Sequence, residues 1–180
     1  MASLLRDGCN ISMPLKIDTE TIRRLRDALI AKGQLEADQD GDSNVNVANQ
    51  VEASMKRVSP FVETLYLVMI ADGLIENSEK EAIRGAISLL THGFLNQQAL
   101  DTIMESCESE VSQHGVEARL QKIGTIVSAD RQDREIAFTL AAAVALADHD
   151  LASQEGSLLE SIAEWYGVSE RRREEILQQF

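Results

Sequence analysis

Aromatic side chains are scarce in this chain, 4% of residues with a single Trp, which leaves no platform on which a run of bases could stack. Basic charge is short as well: 17 Lys and Arg stand against 30 Asp and Glu, a net charge of −13. A field of that sign repels phosphate backbones and acidic lipid surfaces and attracts cations or basic protein surfaces. Nucleic acid is therefore not an expected partner, whereas a protein with a basic surface is. Cysteine is nearly absent. Cys9 and Cys107 lie far apart and form no Cys-x-x-Cys or Cys/His spacing, so no disulfide framework is expected and a reducing compartment is.

Long apolar runs are missing too. Nothing approaches the ~20 residues of a membrane span, and the run at 65–71 is cut by Asp72. The N-terminal MASLLRDGCNISMPLK has no stretch that would serve as a signal peptide. A cytoplasmic protein without membrane insertion is the expectation. Catalytic groupings are equally lacking: there is no Ser/His/Asp or Cys/His arrangement, no Gly-rich phosphate loop and no His-x-x-x-His. His92 and His114 fall at helix ends, and His149 stands between Asp148 and Asp150 in a loop. Neither an enzyme nor an organic cofactor is suggested.

What is present is helical periodicity. The 180 residues are 44% hydrophobic, enough for one domain that buries about 70% of its unfolded surface. Residues 1–17 read as a loose tail, and 18–57 as N-terminal helices around an acidic linker at 38–49. Ile22, Leu25, Leu29 and Ile30 give the first apolar face, behind Asp18 as N-cap; Val47, Val51, Met55 and Val58 give a second, short one. Ser59-Pro60 reads as an N-cap and first helical residue, restarting the chain. The helix over 61–72 is apolar on most sides and belongs in the middle of the fold, with Gly73 as its terminator. Further helices follow behind Asn96, Asp130 and Ser169 as caps and stop near Gly93, Gly115 and Gly167; Cys107 falls on a core face, and Ile176 and Phe180 should turn inward. No segment shows sustained strand alternation. The fold class is all-α, a single bundle of about nine helices.

The chain repeats itself. IADGLIENSEKEAI at 70–83 returns as LADHDLASQEGSLL at 146–159, with Asp148 standing 76 residues after Asp72 and no gap between Ala71/Ala147 and Ala86/Ile162. Two copies of one helix–turn–helix unit around a single core, related by a pseudo-two-fold, account for this. In each copy an Asp and a Glu lie seven residues apart, Asp72/Glu79 and Asp148/Glu155. Set against a calcium-binding loop, Asp72 and Glu79 fall on positions five and twelve, but the first ligand positions fall on Val68 and Ile70, and in the second copy on Val144 and Leu146. Neither turn can coordinate a cation alone. If they bind one, Asp72, Glu76 and Glu79 must pool with Asp148, Asp150 and Glu155, an all-oxygen set suited to Ca²⁺, Mg²⁺ or Mn²⁺. Helix capping is the competing explanation for the glutamates. It does not explain the aspartates, whose charge at a helix C-terminus opposes the dipole.

A separate loop at 38–49, DQDGDSNVNVAN, matches the calcium-loop pattern at Asp38, Asp40, Asp42 and Val45. It has Ser43 in place of the turn Gly and Asn49 in place of the closing Glu. An acidic linker is the expectation there.

The string MIADGLIENSEKEAI, its partner LADHDLASQEGSLLESIAEWYGVS and the closing Trp165-Tyr166-Gly167-Val168-Ser169 turn resemble the TerB-like family. That family comprises the tellurite-resistance TerB proteins and the N-terminal domain of DjlA-type co-chaperones. The resemblance covers 58–180. It implies an all-helical bacterial bundle without enzymatic activity, associated with resistance to tellurite and other stresses and with metal-binding acidic residues. By position those residues are Asp72, Glu79, Asp148 and Glu155. The second copy departs at His149, where the first has Gly73, and at Ala152, where a capping residue is usual, so its half-site is expected to be the weaker. A metal-free acidic module that docks a basic protein, as a co-chaperone domain does, is the alternative.

Overall fold

The computed structural model describes residues 19–32, 46–71, 77–91, 93, 95–146 and 153–180, and of these the side chains of all but 46–51, 53, 54, 77–79 and 153–155. Eight helices and no strands make up the described residues: α1 (Thr19–Ala31), α2 (Asn46–Ile70), α3 (Asn77–Leu90), α4 (Gln97–His114), α5 (Val116–Val127), α6 (Arg131–Ala145), α7 (Ser153–Tyr166) and α8 (Glu170–Leu177).

The caps are where local chemistry puts them. The Asn96 side chain accepts from the Ala99 N–H at 2.9 Å, and Asp130 accepts from Gln132 and Asp133 at 2.8 and 3.0 Å. Each satisfies N–H groups that the first helical turn leaves without a carbonyl. Gly93, Gly115 and Gly167 take positive φ where α3, α4 and α7 end.

Two expectations need correction. Pro60 does not restart a helix: α2 runs through it without a break, so the two helices expected on either side are one and the described count is eight. Proline has no N–H to give the carbonyl a turn earlier and ordinarily costs about 3 kcal/mol inside a helix. Here continuity is favoured because Val58 and every residue from 61 to 69 is buried, so a break would expose apolar surface on both sides of it. Phe180 is not turned inward either. It is 41% exposed, because α8 ends at Leu177 and the last residues leave the bundle.

Among the described residues, helices α2 and α6 make the most extensive helix–helix contact and lie at the centre, as expected for the two helices that lead into the repeated turns. Leu65, Val68 and Met69 are buried on one, Leu140 and Val144 on the other. Around them the packing partners exchange in pairs. α1 packs on α3 and α6; α5 packs on α7 and α2. α4 contacts α2, as α8 contacts α6. Swapping α1 with α5, α2 with α6, α3 with α7 and α4 with α8 reproduces these contacts. Among the described residues α4 on α3 and α5, and α5 on α6, have no counterpart of comparable extent, so the internal two-fold is approximate and is kept best by the central helices and those that flank them. The buried residues of the outer pair follow one spacing, Ile22/Leu25/Leu29 on α1 and Leu120/Ile123/Val127 on α5.

Candidate functional site

The repeated turns connect α2 to α3 and α6 to α7. The central helices close differently. Ala71 N–H bonds the Val68 carbonyl at 3.3 Å, a tightened last turn, whereas Leu146 N–H bonds Ala142 at 2.9 Å in ordinary helical register. Asp72 and Glu76 belong to the first connection, Asp148 and Asp150 to the second, and all four lie outside the described residues. Glu79 and Glu155 lie on described backbone, each the third residue of its helix. That is the position from which a Glu reaches back to the cap N–H. Their side chains are outside the described residues, as are His149 and Ala152. The helices on either side of the two acidic strings are thus described, while the six carboxylates lie outside the described residues. Of the acidic loop at 38–49, residues 46–49 are the first turn of α2, and the rest falls outside the described residues. Among the described residues no three of His, Cys, Asp and Glu converge as a ligand set.

Among the charges that are placed, Arg84 of α3 pairs with Glu81 and with Asp101 of α4, and two further networks stand one at each of the equivalent junctions. Where α2, α4 and α5 meet, Arg119 Nε donates to Glu63 at 2.7 Å and Nη1 to Glu110 at 2.8 Å. The side chains of Arg119 and Glu63 are only 12% and 11% exposed. Cys107 lies in the same region; burial, with the Glu63 charge adding to it, pushes its thiol up to about 12, the reverse of an activated nucleophile. Burial likewise pushes Tyr66 up to about 12. Nearby, the Thr64 hydroxyl donates to the Pro60 carbonyl and meets the Tyr166 hydroxyl at 2.7 Å, both residues fully buried. With the Thr64 proton engaged, Tyr166 is the donor of that bond, and it ties α7 to α2.

Where α6, α8 and α1 meet, Glu135 accepts from Arg131 and from Arg172, each at 3.0 Å, and Arg172 also donates to Glu175 at 2.9 Å. Burial raises the Glu135 carboxyl, but the two arginines outweigh it and hold it below the usual range. At the end of α1, Lys32 bonds Asp130 and Asp133 at 2.6 and 2.5 Å. Beside this network Arg131, Arg134, Glu135, Gly167, Ser169 and Arg172 line a cavity of about 230 Å³. No pattern in the sequence singles it out, since its arginines come from two helices and share no motif spacing; only the runs RQDRE and SERRRE hint at local basic density in an acidic chain.

A family model described as tellurite resistance protein TerB matches residues 60–178, more than half of the chain. No curated protein and no solved structure gives a significant match. The matched segment runs from the second part of α2 through α8 and takes in both acidic turns; α1 and the start of α2 precede it. The chain belongs to the TerB family.

Proposed function

We propose that this TerB-family chain is a non-enzymatic, cytoplasmic stress-response protein of the tellurite-resistance type that binds a divalent cation through its two acidic turns. The observation that carries this reading is the exchange of packing partners between the halves. It pairs the helices that lead into and out of the two acidic strings, α2 with α6 and α3 with α7, which supports reading the strings as a pair. The donor chemistry fits a hard cation: Asp72, Glu76, Glu79, Asp148, Asp150 and Glu155 offer carboxylate oxygen only, the set that suits Ca²⁺, Mg²⁺ or Mn²⁺ rather than a thiophilic metal. In a chain of net charge −13, a bound cation would offset repulsion among acids held at the ends of two packed helices.

Chelator-treated protein titrated calorimetrically with Ca²⁺, Mg²⁺, Mn²⁺ and Zn²⁺, and melted in each, tests the proposal. A hundredfold excess over Kd stabilises the fold by about 2.7 kcal/mol, roughly 5–10 °C for a chain of this size. Asp72→Asn and Asp148→Asn should each remove most of that gain and leave helical content unchanged. If the acids only cap helices, Glu79→Gln costs ~0.5–1 kcal/mol with or without metal. Identical melting points in every ion and in chelator would overturn cation binding and leave the metal-free module that docks a basic protein.

A further inference from the structure

We propose that the cavity between the first turn of α6 and the α7–α8 connection binds a tetrahedral dianion, either inorganic phosphate or the phosphate group of a small monoester. The cavity of about 230 Å³ is lined by three guanidinium groups, Arg131, Arg134 and Arg172, and by one carboxylate, Glu135. Among the lining groups the balance is two positive charges, which a dianion neutralises; Glu175, outside the lining, takes Nη1 of Arg172. Two of the arginines are engaged with that carboxylate, Arg131 through Nε and Arg172 through Nη2. Arg134 is different. Among the described residues its side chain makes one long hydrogen bond, from Nη1 to the Ser128 carbonyl at 3.5 Å, and no carboxylate pairs with it. A half-buried guanidinium whose fork is largely unused is suited to bidentate recognition of phosphate oxygens.

The backbone shapes the mouth of the cavity. Gly167 takes φ 71°, and a Cβ there would stand 3.6 Å from Arg134 Nη1, so the arginine lies over this turn. The chain then enters α8 at Glu170, capped by Ser169, whose hydroxyl accepts from the Arg172 N–H at the long distance of 3.4 Å. Of the N–H groups along the cavity, those of Gly167, Val168 and Arg172 are already bonded, so the backbone contributes chiefly the favourable potential of a helix start for negative charge. Glu170 does not fill the cavity: its nearest cation is Arg173, at 3.9 Å, on another face. The acidic remainder of the protein is screened beyond about 8 Å at physiological ionic strength, so local contacts decide the binding.

The test is an amide ¹⁵N–¹H titration of chelator-treated protein with sodium phosphate, and separately with glycerol 3-phosphate, against sodium chloride at matched ionic strength. Chelation keeps phosphate from reading out a cation held by the acidic turns, so this proposal fails or stands independently of the previous one. Saturable shifts confined to Arg134 and to residues 167–172 are expected with one or both phosphates and not with chloride. Arg134→Gln should weaken binding at least tenfold. Arg134→Lys should keep part of it, and Lys122→Gln, on the exposed side of α5, should change nothing. Arg131→Gln serves if Arg134→Gln lowers helical content: the Arg131 side chain is 77% exposed, and its loss should cost severalfold in affinity. Shifts that do not saturate, that chloride reproduces, or that survive Arg134→Gln in a folded protein would overturn the proposal.

Discussion

The two halves of the bundle solve one packing problem with different side chains. At the centre, α2 supplies bulk, with Phe61, Leu65, Tyr66, Leu67 and Met69 buried; α6 supplies closeness, with Ala137, Ala141, Ala142 and Ala143 buried. The alanines stand on α6 among Ile136, Phe138, Leu140 and Val144, also buried, and small residues between large ones allow close approach of a neighbouring helix at interior density. The charged junctions diverge further. Glu63–Arg119 is sunk between α2 and α5, whereas Glu135–Arg172 stands nearer the surface, its side chains 21% and 36% exposed. Nor are these ion pairs copies: the 76-residue offset of the repeat would set Glu63 against Thr139. The two-fold is a property of helix arrangement, and of the acidic turns in their sequence, while each half is stabilised by its own ion pairs.

Burial decides what breaking each junction costs. Arg119→Ala leaves Glu63 enclosed without its cation, and removal of one partner of a buried pair costs about 3–5 kcal/mol, roughly 6–20 °C in Tm. Replacing both partners, Glu63→Gln with Arg119→Met, should recover much of the loss, because the penalty is an uncompensated charge and not a missing attraction. Arg172→Ala at the equivalent junction should stay within about 1 kcal/mol of wild type. Thermal melts of the four proteins check this. Equal losses from Arg119→Ala and Arg172→Ala would mean that the junctions are energetically alike despite their different depths.

Helix spacing offers a second, smaller contrast. Gly124 lies inside α5, and a Cβ there would be driven into the backbone carbonyl of Trp165 on α7. A main chain held by its own helix cannot step aside as a side-chain tip can. Gly124→Ala should therefore cost about 1–3 kcal/mol, in spite of the ~1 kcal/mol by which Ala is the better helix former. Gly85 on α3, in the other half, has nothing within 4 Å, and Gly85→Ala should gain about 0.5–1 kcal/mol. Urea unfolding of both variants reads the opposite signs; a stabilised Gly124→Ala would deny that α5 and α7 are in backbone contact.

What could be read in advance follows from how local each feature is. Caps at Asn96, Asp130 and Ser169 are legible because one side chain and the next two or three N–H groups define them. The acidic turns are legible because a turn constrains residue type at fixed positions, which makes a repeat visible. Pro60 was misleading for the same reason: Ser-Pro is a sound local start signal, but here burial on both sides of it prevailed. The equivalence of α1 with α5, and of α4 with α8, cannot be seen in the string. TETIRRLRDALIA and VEARLQKIGTIV share an apolar spacing and little else, and many pairs of amphipathic helices share that much. The arginine cavity escapes for a similar reason, being assembled from segments that only the fold brings together.

The smallest expected effect is acid sensitivity, and apart from Glu52, held low by Lys56 on α2, it belongs to the second half. Hydrogen bonds from Lys32 hold the Asp130 carboxyl below its ordinary value, and the cap bonds from Asp133 and Gln132 add to this. Arg172 and Arg171 do the same for Glu175, and Glu135 is held low against its own burial. A carboxyl whose folded pKa lies below its unfolded value binds its proton more readily in the unfolded chain. Its stabilising contribution is then fully present above the unfolded value, near pH 4, and is lost as pH falls through the folded one. Tm should be level from about pH 5 upward as far as these groups are concerned and fall below about pH 4. Lys32→Met removes the first cause of the Asp130 shift and unties α1 from the start of α6, so the acid limb should become shallower while the neutral-pH Tm drops slightly. Melts of wild type and Lys32→Met between pH 3 and 8, at constant ionic strength, measure both quantities. An acid limb of unchanged steepness in Lys32→Met would assign the sensitivity to Glu135 and Glu175 on the α8 side and leave the α1 clamp without a part in it.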